Sequence, residues 1–393
     1  MNTGIKLGRI FGIDIFLHWS LLIIVALITA SLGMIAFPNW HPDWPAWLAW
    51  STGAIAAVLL VASILFHEMS HALVGRRWGM HVPRITLFLF GGMAHLESDA
   101  PEWRAEFWMA IAGPLASLVL GFALLTAGNI AAGPVEAQAL DDPQAYLASL
   151  SPLATVLLWL GTINIILALF NMVPGFPLDG GRVLRAIVWG VTGDIRKATH
   201  AASMLGQLFG WYLIANGVLM VLGVSVPLFG TGLVGGLWLI FIGWFINRLA
   251  VTGYQQLLTQ RALTGIPVSR LMQTGTHSAG PTMPLDRLVD EILLPRGQRA
   301  VPIEENDRLC GLVSLEDIRR IDRNEWANTP ASTVMTPRDK LRTLAPEADL
   351  EEALRLLGSS GFNQAPVVDQ DRLLGMLRRE DLLHWLALHD SPR

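Results

Sequence analysis

Two histidines four residues apart with a carboxylate beside the first, His67-Glu68-Met69-Ser70-His71, stand inside an apolar run that begins near Ala49. On a helix, residues four apart share a face about one turn apart. Two imidazoles so placed can grip one zinc ion, and Glu68 can reach water bound to it. Ionisable side chains in a bilayer-spanning segment are costly, and such residues mark function. The competing reading is a polar patch packed between helices, or an ion path.

A second stretch carries matching chemistry: Asn171-Met-Val-Pro174-Gly-Phe-Pro177-Leu-Asp179-Gly180-Gly181-Arg182. Its prolines and glycines cannot continue a regular helix. Irregular backbone at membrane depth is tolerated only inside protein or beside a watery cavity. Asp179 is then a buried or cavity-facing carboxylate that needs a cation. A zinc ion held by two histidines needs a third protein ligand and keeps a fourth position for water. Asp179 fits that vacancy; the alternative is a helix exit with a capping aspartate.

Composition sets the frame for both motifs. The chain has 393 residues, 52% hydrophobic and 15% charged, too apolar for an ordinary soluble protein. Of its 60 Asp, Glu, Lys and Arg residues, 36 follow Leu263, so a membrane part precedes a soluble part. A net charge of -4 gives no reason to expect nucleic acid as a partner. The one cysteine, Cys310, excludes an intrachain disulfide and suits a reducing compartment.

Six apolar runs are long enough to span a bilayer: about Ile15–Phe37, Ala49–Val74, Ala105–Ala127, Pro152–Met172, Ala202–Leu222 and Leu228–Leu249. Lys6 and Arg9 precede the first, which lacks a convincing cleavage site and reads as a retained helix. Pro38–Trp47, Gly128–Ser151 and Gly223–Pro227 hold no Lys or Arg, whereas the alternate loops hold Arg76, Arg77, Arg84, Arg104, Arg182, Arg185, Arg196 and Lys197. This asymmetry predicts cytoplasmic N- and C-termini. The second and fourth runs then cross in the same direction, so both motifs lie toward the cytoplasmic side. His67 is nine residues before Arg76, roughly 14 Å inside the boundary at 1.5 Å per residue.

Between the second and third runs, Val82 to Phe90 is rich in β-formers, and Gly91-Gly92 suits a hairpin turn. A short sheet edge there would hold an extended peptide by strand addition; the alternative is an amphipathic loop resting on the bilayer. In the third run, Ala112-Gly113-Pro114 is expected to break or bend the helix and admit a close backbone. His95, His18 and His200 have no ligand spacing around them and read as packing residues.

The pair His67-Glu68-x-x-His71 and Asn171…Pro174…Pro177-x-Asp179-Gly-Gly resembles the site-2 protease (M50-type) family of intramembrane zinc metalloproteases, over roughly residues 1–250. The resemblance implies one catalytic Zn2+ held by His67, His71 and Asp179, with Glu68 as catalytic base. It implies that Asn171 steadies the substrate or the oxyanion. It matches the segment around Gly91 and Gly92 to membrane-embedded strands that bind substrate, and Ala-Gly-Pro to a third-span motif. The chain departs from the family at Ser117, where many relatives carry Asn. That departure bears on helix packing or substrate contact there, not on the zinc site.

The soluble third repeats itself. Ala300-Val-Pro302-Ile answers Gln364-Ala-Pro366-Val, and Gly311-Leu-Val-Ser314-Leu-Glu-Asp317-Ile answers Gly375-Met-Leu-Arg378-Arg-Glu-Asp381-Leu, both at an offset of 64. Val268 to Met272 likewise answers Ala331 to Met335. Each unit reads strand, helix, strand, strand, helix, and the whole resembles a tandem pair of CBS domains. Such pairs often bind an adenine nucleotide. The family's ribose-contacting aspartate maps to Asp317 and Asp381; its hydroxyl partner is Ser314 in the first copy and is replaced by Arg378 in the second. The alternative is a dimerisation module without ligand.

The expected fold is a polytopic α-helical membrane protein, six transmembrane helices with a membrane-associated β-hairpin, followed by an α/β tandem CBS domain. The expected organisation is 1–250 protease, 251–262 linker, 263–325 and 326–393 CBS domains. The expected activity is hydrolysis of a peptide bond within or near a transmembrane helix of another membrane protein, in the plasma membrane. By family analogy the substrate is an anti-sigma factor, another single-pass regulator or a remnant signal peptide, and the CBS pair suggests a homodimer. The rivals are a CBS-regulated transporter or channel, and a catalytically silent scaffold.

Overall fold

The computed structural model describes residues 4–89, 91–95, 100–134, 143–227, 229–359 and 363–389. It divides into two compact units, Met1–Gln255 and Gln256–Arg393.

The first unit opens with two strands, β1 (Gly4–Ile10) and β2 (Ile13–His18). The chain continues through α1 (Ser20–Trp40), α2 (Ala46–Arg77), β3 (Arg84–Phe88), β4 (Gly91–His95) and α3 (Trp103–Ala132). Next come α4 (Pro152–Asn171), the shorter α5 (Asp179–Thr192), α6 (Ile195–Val221) and α7 (Leu233–Leu263). Six of these helices (α1 to α4, α6 and α7) are long and apolar enough to cross a membrane. The protein is an integral membrane protein. Residues 251–262, read from sequence as a linker, continue α7.

Local sequence sets the helix ends. Ser151 accepts from the Ala154 N–H, with Pro152 in the first turn of α4. Gly193, at φ +68°, stops α5, and Asp194 then accepts from the Arg196 and Lys197 N–H groups to start α6. Inside the unit, small residues let backbones meet: a Cβ at Gly121 would lie 3.0 Å from the Gly161 carbonyl oxygen, joining α3 to α4. Large apolar side chains such as Leu22, Val119 and Ile130 point outward, as a lipid-facing surface requires.

Two sequence expectations are corrected here. The first apolar run is not helical from Ile15, because Ile13 to Phe16 alternates buried and half-buried side chains and Ile13–His18 forms a strand. Gly91-Gly92 is not the hairpin turn either. Phe88 pairs with Gly91 and Leu87 with Gly92, so both glycines belong to β4.

The hairpin is thus half of a four-stranded sheet in the order β1-β2-β3-β4, with β2 and β3 parallel and the other pairs antiparallel. Ile13, Ile15, Ile85 and Leu87 pack against Met69 and Ala72 of α2. Phe11 and Gly12, at φ +49° and +76°, make the tight β1–β2 turn. The Arg76 guanidinium at the end of α2 donates to the carbonyls of Phe11 (2.6 Å), Gly12 (3.2 Å) and Val82 (2.9 Å). A cation counted from sequence as an orientation signal therefore also ties the sheet to the histidine-bearing helix.

The second unit holds two antiparallel hairpins, Ala300–Glu305 with Arg308–Ser314 and Gln364–Asp369 with Arg372–Arg378. Their turns, Asn306-Asp307 and Gln370-Asp371, share the same positive-φ geometry 64 residues apart. The leading segments cross over: Val268 is buried in the second repeat's core and Ala331 in the first's.

Candidate active site

One face of α3 builds the site. His71 Nδ1 lies 2.6 Å from the Met109 carbonyl oxygen and donates its hydrogen there, leaving Nε2 with its lone pair. His67 Nδ1 lies 2.9 Å from Ser117 Oγ, which fixes that ring the same way. Between these two anchors sits Gly113. A Cβ there would collide with His71 Nε2 and lie 2.7 Å from His67 Nε2. Glycine is required because the imidazole rings occupy the space of a side chain.

Contrary to expectation, Ala112-Gly113-Pro114 does not break α3, which runs unbroken from Trp103 to Ala132. What approaches closely at Gly113 is a pair of rings, not a backbone. The departure at Ser117 does reach the metal-type site, against the sequence reading, because its hydroxyl holds His67.

Asp179 arrives as the first residue of α5. The preceding loop is wedged in place: the Phe176 N–H donates to the Ala202 carbonyl of α6 at 3.0 Å. The Phe176–Pro177 peptide is cis. Gly206 of α6 meets the Phe176 backbone, and a Cβ at Gly181 would sit 2.5 Å from Phe176 N. Side chains at these glycines would push the loop, and with it Asp179, out of position.

The result is a nearly equilateral triangle. Asp179 Oδ2 lies 3.1 Å from His67 Nε2 and 3.2 Å from His71 Nε2, and the two Nε2 atoms are 3.2 Å apart. Ligands about 2.0–2.1 Å from a tetrahedral zinc ion stand about 3.3 Å from one another, so the three atoms fit one ion and leave its fourth position open. Among the described residues this is the one such group of His, Cys, Asp and Glu. His67 and His71 are buried.

Glu68, beside His67 on α2, lies against the sheet. A Cβ at Gly92 would overlap Glu68 Cγ and lie 2.7 Å from Cδ and 3.0 Å from Oε1. Edge strand β4 thus lies directly on this carboxylate. Asn171 is half-buried at the end of α4, and the atoms that form the triangle come from His67, His71 and Asp179 without it. His18 bonds Ser20 Oγ at 2.7 Å and His200 packs its ring on Tyr254. His95 pairs by backbone with Arg84.

The sequence reading missed the contacts of Met109, Gly113 and Ser117. The signal present was helical spacing: 109, 113 and 117 recur every four residues.

In the second unit, Asp317 and Asp381 occupy equivalent places. Asp317 Oδ2 accepts from Ser314 N (2.9 Å) and Oγ (2.6 Å), closing a capping box. Asp381 accepts from Arg378 N (3.0 Å) and Gln273 Nε2 (2.9 Å). A cleft of about 230 Å³ opens beside the second copy, with Arg299, Arg378 and Arg379 in its wall.

Comparison with known proteins assigns the chain to a family. The profile of peptidase family M50 matches residues 55–213, and that of the CBS domain matches 268–324 and 331–388. The chain belongs to peptidase family M50, the site-2 protease family of zinc metalloproteases, and carries a tandem CBS pair. It is 34% identical over 391 residues to a Mycobacterium tuberculosis protein named as a zinc metalloprotease, Rip3, covering 99% of this chain and 94% of that one. It is 32% identical over 392 residues to a Synechocystis protein named as a zinc metalloprotease, sll0528, covering 98% and 96%. A solved structure of a site-2 protease from Methanocaldococcus jannaschii is 26% identical, with a TM-score of 0.42, covering 63% of this chain and 94% of that one. Family membership sets aside the transporter reading of the intramembrane polar residues.

Proposed function

We propose that this protein hydrolyses a peptide bond within or near the transmembrane helix of a membrane-protein substrate, with His67, His71 and Asp179 holding one zinc ion. The observation that carries the reading is the 3.1–3.2 Å triangle of ligand atoms with Glu68 next to it, under an open sheet edge. When bound, the ion supplies Lewis-acid polarisation of the scissile carbonyl and acidification of water.

The chain's own residues do the rest. Glu68 takes the proton from the attacking water and returns it to the leaving amine. The free edge of β4 offers unpaired backbone donors and acceptors to an extended, locally unwound segment of substrate. Gly91 and Gly92 line that edge and let the segment come down on Glu68 without a side chain between. Asn171, at the mouth of the loop that delivers Asp179, steadies the substrate carbonyl. The substrate class is a single-pass regulator such as an anti-sigma factor, or a remnant signal peptide. The protein sits in the plasma membrane with both termini cytoplasmic, as the Lys/Arg asymmetry supports.

The test is cleavage of a single-span model substrate by purified wild type and Glu68→Gln, with zinc measured on both. Cleavage by wild type alone, at equal zinc content, is the expected result. Normal cleavage by Glu68→Gln would sink the assignment.

In the second unit, residues 263–325 and 326–393 act as CBS domains that bind an adenine nucleotide through Ser314, Asp317 and Asp381 and regulate access to the site. Arg378 and Arg379 in the cleft support a phosphate-bearing ligand, while Arg299 of the same wall is ion-paired with Glu380 at 3.1 Å. Isothermal titration of the full chain with ATP, AMP and S-adenosylmethionine tests this; heatless traces with all three would leave pairing of two copies as the module's role. Cross-linking in native membranes tests the homodimer.

A further inference from the structure

A buried ion pair lies outside the residues used so far. Glu106, on α3, is fully buried, with 0% of its surface exposed. Arg185, on α5, donates from Nε to Glu106 Oε1 at 2.6 Å, and its Nη2 reaches the same oxygen. Glu106 Oε2 has no hydrogen-bond partner among the described residues. The Arg185 guanidinium also covers the Phe176 ring at 5.2 Å from its centroid. One cation therefore grips α3 and the loop that delivers Asp179 together.

Burying a carboxylate is costly even when it is paired, and such pairs are poor stabilisers. Their best-attested use is to fix the register of one helix against another. The register matters here. Met109, Gly113 and Ser117 of α3 set both histidine rings, and Glu106 lies one turn before Met109. Asp179 is the first residue of α5, a helix of 14 residues that is not itself a membrane span. A slide of α5 by one residue would move it about 1.5 Å. That is half an edge of the 3.1–3.2 Å triangle.

We propose that Glu106 and Arg185 are positioning residues for the metal centre: their ion pair locks α5 in register with α3 and so holds Asp179 Oδ2 at its corner of the triangle. The proposal rests on the reading of Asp179 as the third zinc ligand.

The test is zinc affinity, measured by competition with a chromophoric chelator on the purified full chain. The variants are Arg185→Gln, Glu106→Gln, Asp179→Asn and the double variant Arg185→Gln/Asp179→Asn. Each clamp variant is expected to weaken zinc binding 10- to 100-fold, the range for residues that orient a ligand. Asp179→Asn should weaken it further, and the double variant should bind no worse than Asp179→Asn alone. A defect that multiplies in the double variant, or an Arg185→Gln affinity within threefold of wild type, would overturn the proposal. If Asp179→Asn itself leaves zinc binding unchanged, the reading beneath it fails instead. Arg185→Lys keeps the charge but loses the planar fork. It carries the comparison if the uncharged variants do not fold, and is expected to bind zinc more weakly than wild type.

Discussion

Gly113→Ala is the sharpest test of how the site is built. The new Cβ would lie 2.6 Å from His71 Cε1 and 2.7 Å from His67 Nε2, where ordinary contact begins at 3.4 Å. These two atoms alone must retreat by about 0.7–0.8 Å, and His71 Nε2, which the new Cβ meets more closely still, by more, whereas a zinc site tolerates about 0.2 Å. They have nowhere to go. His71 is pinned by Nδ1 to Met109 and His67 to Ser117, both on the helix that carries the new methyl group. Overpacking of this kind costs about 1–3 kcal/mol. Charged against metal binding, about 2.7 kcal/mol is a 100-fold loss of affinity. Chelator competition on Gly113→Ala and wild type reads it directly. Gly253→Ala is the control, because a Cβ there meets nothing within 4 Å. A Gly113→Ala protein that binds zinc within threefold of wild type would refute the reasoning.

Gly92→Ala should spare zinc content but lower turnover at least tenfold, since the three atoms nearest its Cβ all belong to Glu68; metal analysis beside single-turnover cleavage separates the two. Ser117→Ala leaves the His67 Nδ1–H without its partner, and should weaken zinc binding 10- to 100-fold by the same chelator titration. Stripping the metal with a chelator should abolish cleavage. It should also cost up to about 4 kcal/mol of stability, if zinc had been present at about a thousand times its Kd; an unchanged melting curve would argue against a bound ion. Arg76→Ala removes the donor to three carbonyls and should destabilise the N-terminal hairpin by about 1–2 kcal/mol, read as faster limited proteolysis before residue 19.

The chemistry was legible in the sequence where it was local. His67 and His71 need only helical periodicity to meet, and Asp179 announced itself as a carboxylate within prolines and glycines at membrane depth. The support for those groups was not legible, because it depends on which face of a third helix turns toward the rings. Ser117 reads as a packing position until His67 is seen to bond it. The strands β1 and β2 were lost for a different reason. Ile13 to His18 runs straight into the apolar α1, and a six-residue strand is hidden when the window is as long as a membrane span. Gly91 and Gly92 suit a turn by type, yet at Gly92 the missing side chain serves the contact with Glu68, twenty-four residues earlier in the chain.

The order of the sheet has a bearing on how a guest segment chooses its seat. β3 is the middle of three strands, with β2 hydrogen-bonded along one side and β4 along the other. Because residues 4–18 fold back to occupy the far side, that side is closed to visitors. The one remaining exposed margin, on β1, lies three strands from β4, about 14 Å away at the usual strand spacing. On the proposed reading, a polypeptide arriving next to Glu68 meets one unpaired edge among the described strands there, that of β4. On that reading the N-terminal hairpin, remote in sequence from His67, Glu68, His71 and Asp179, is the blank that keeps the other side of β3 filled.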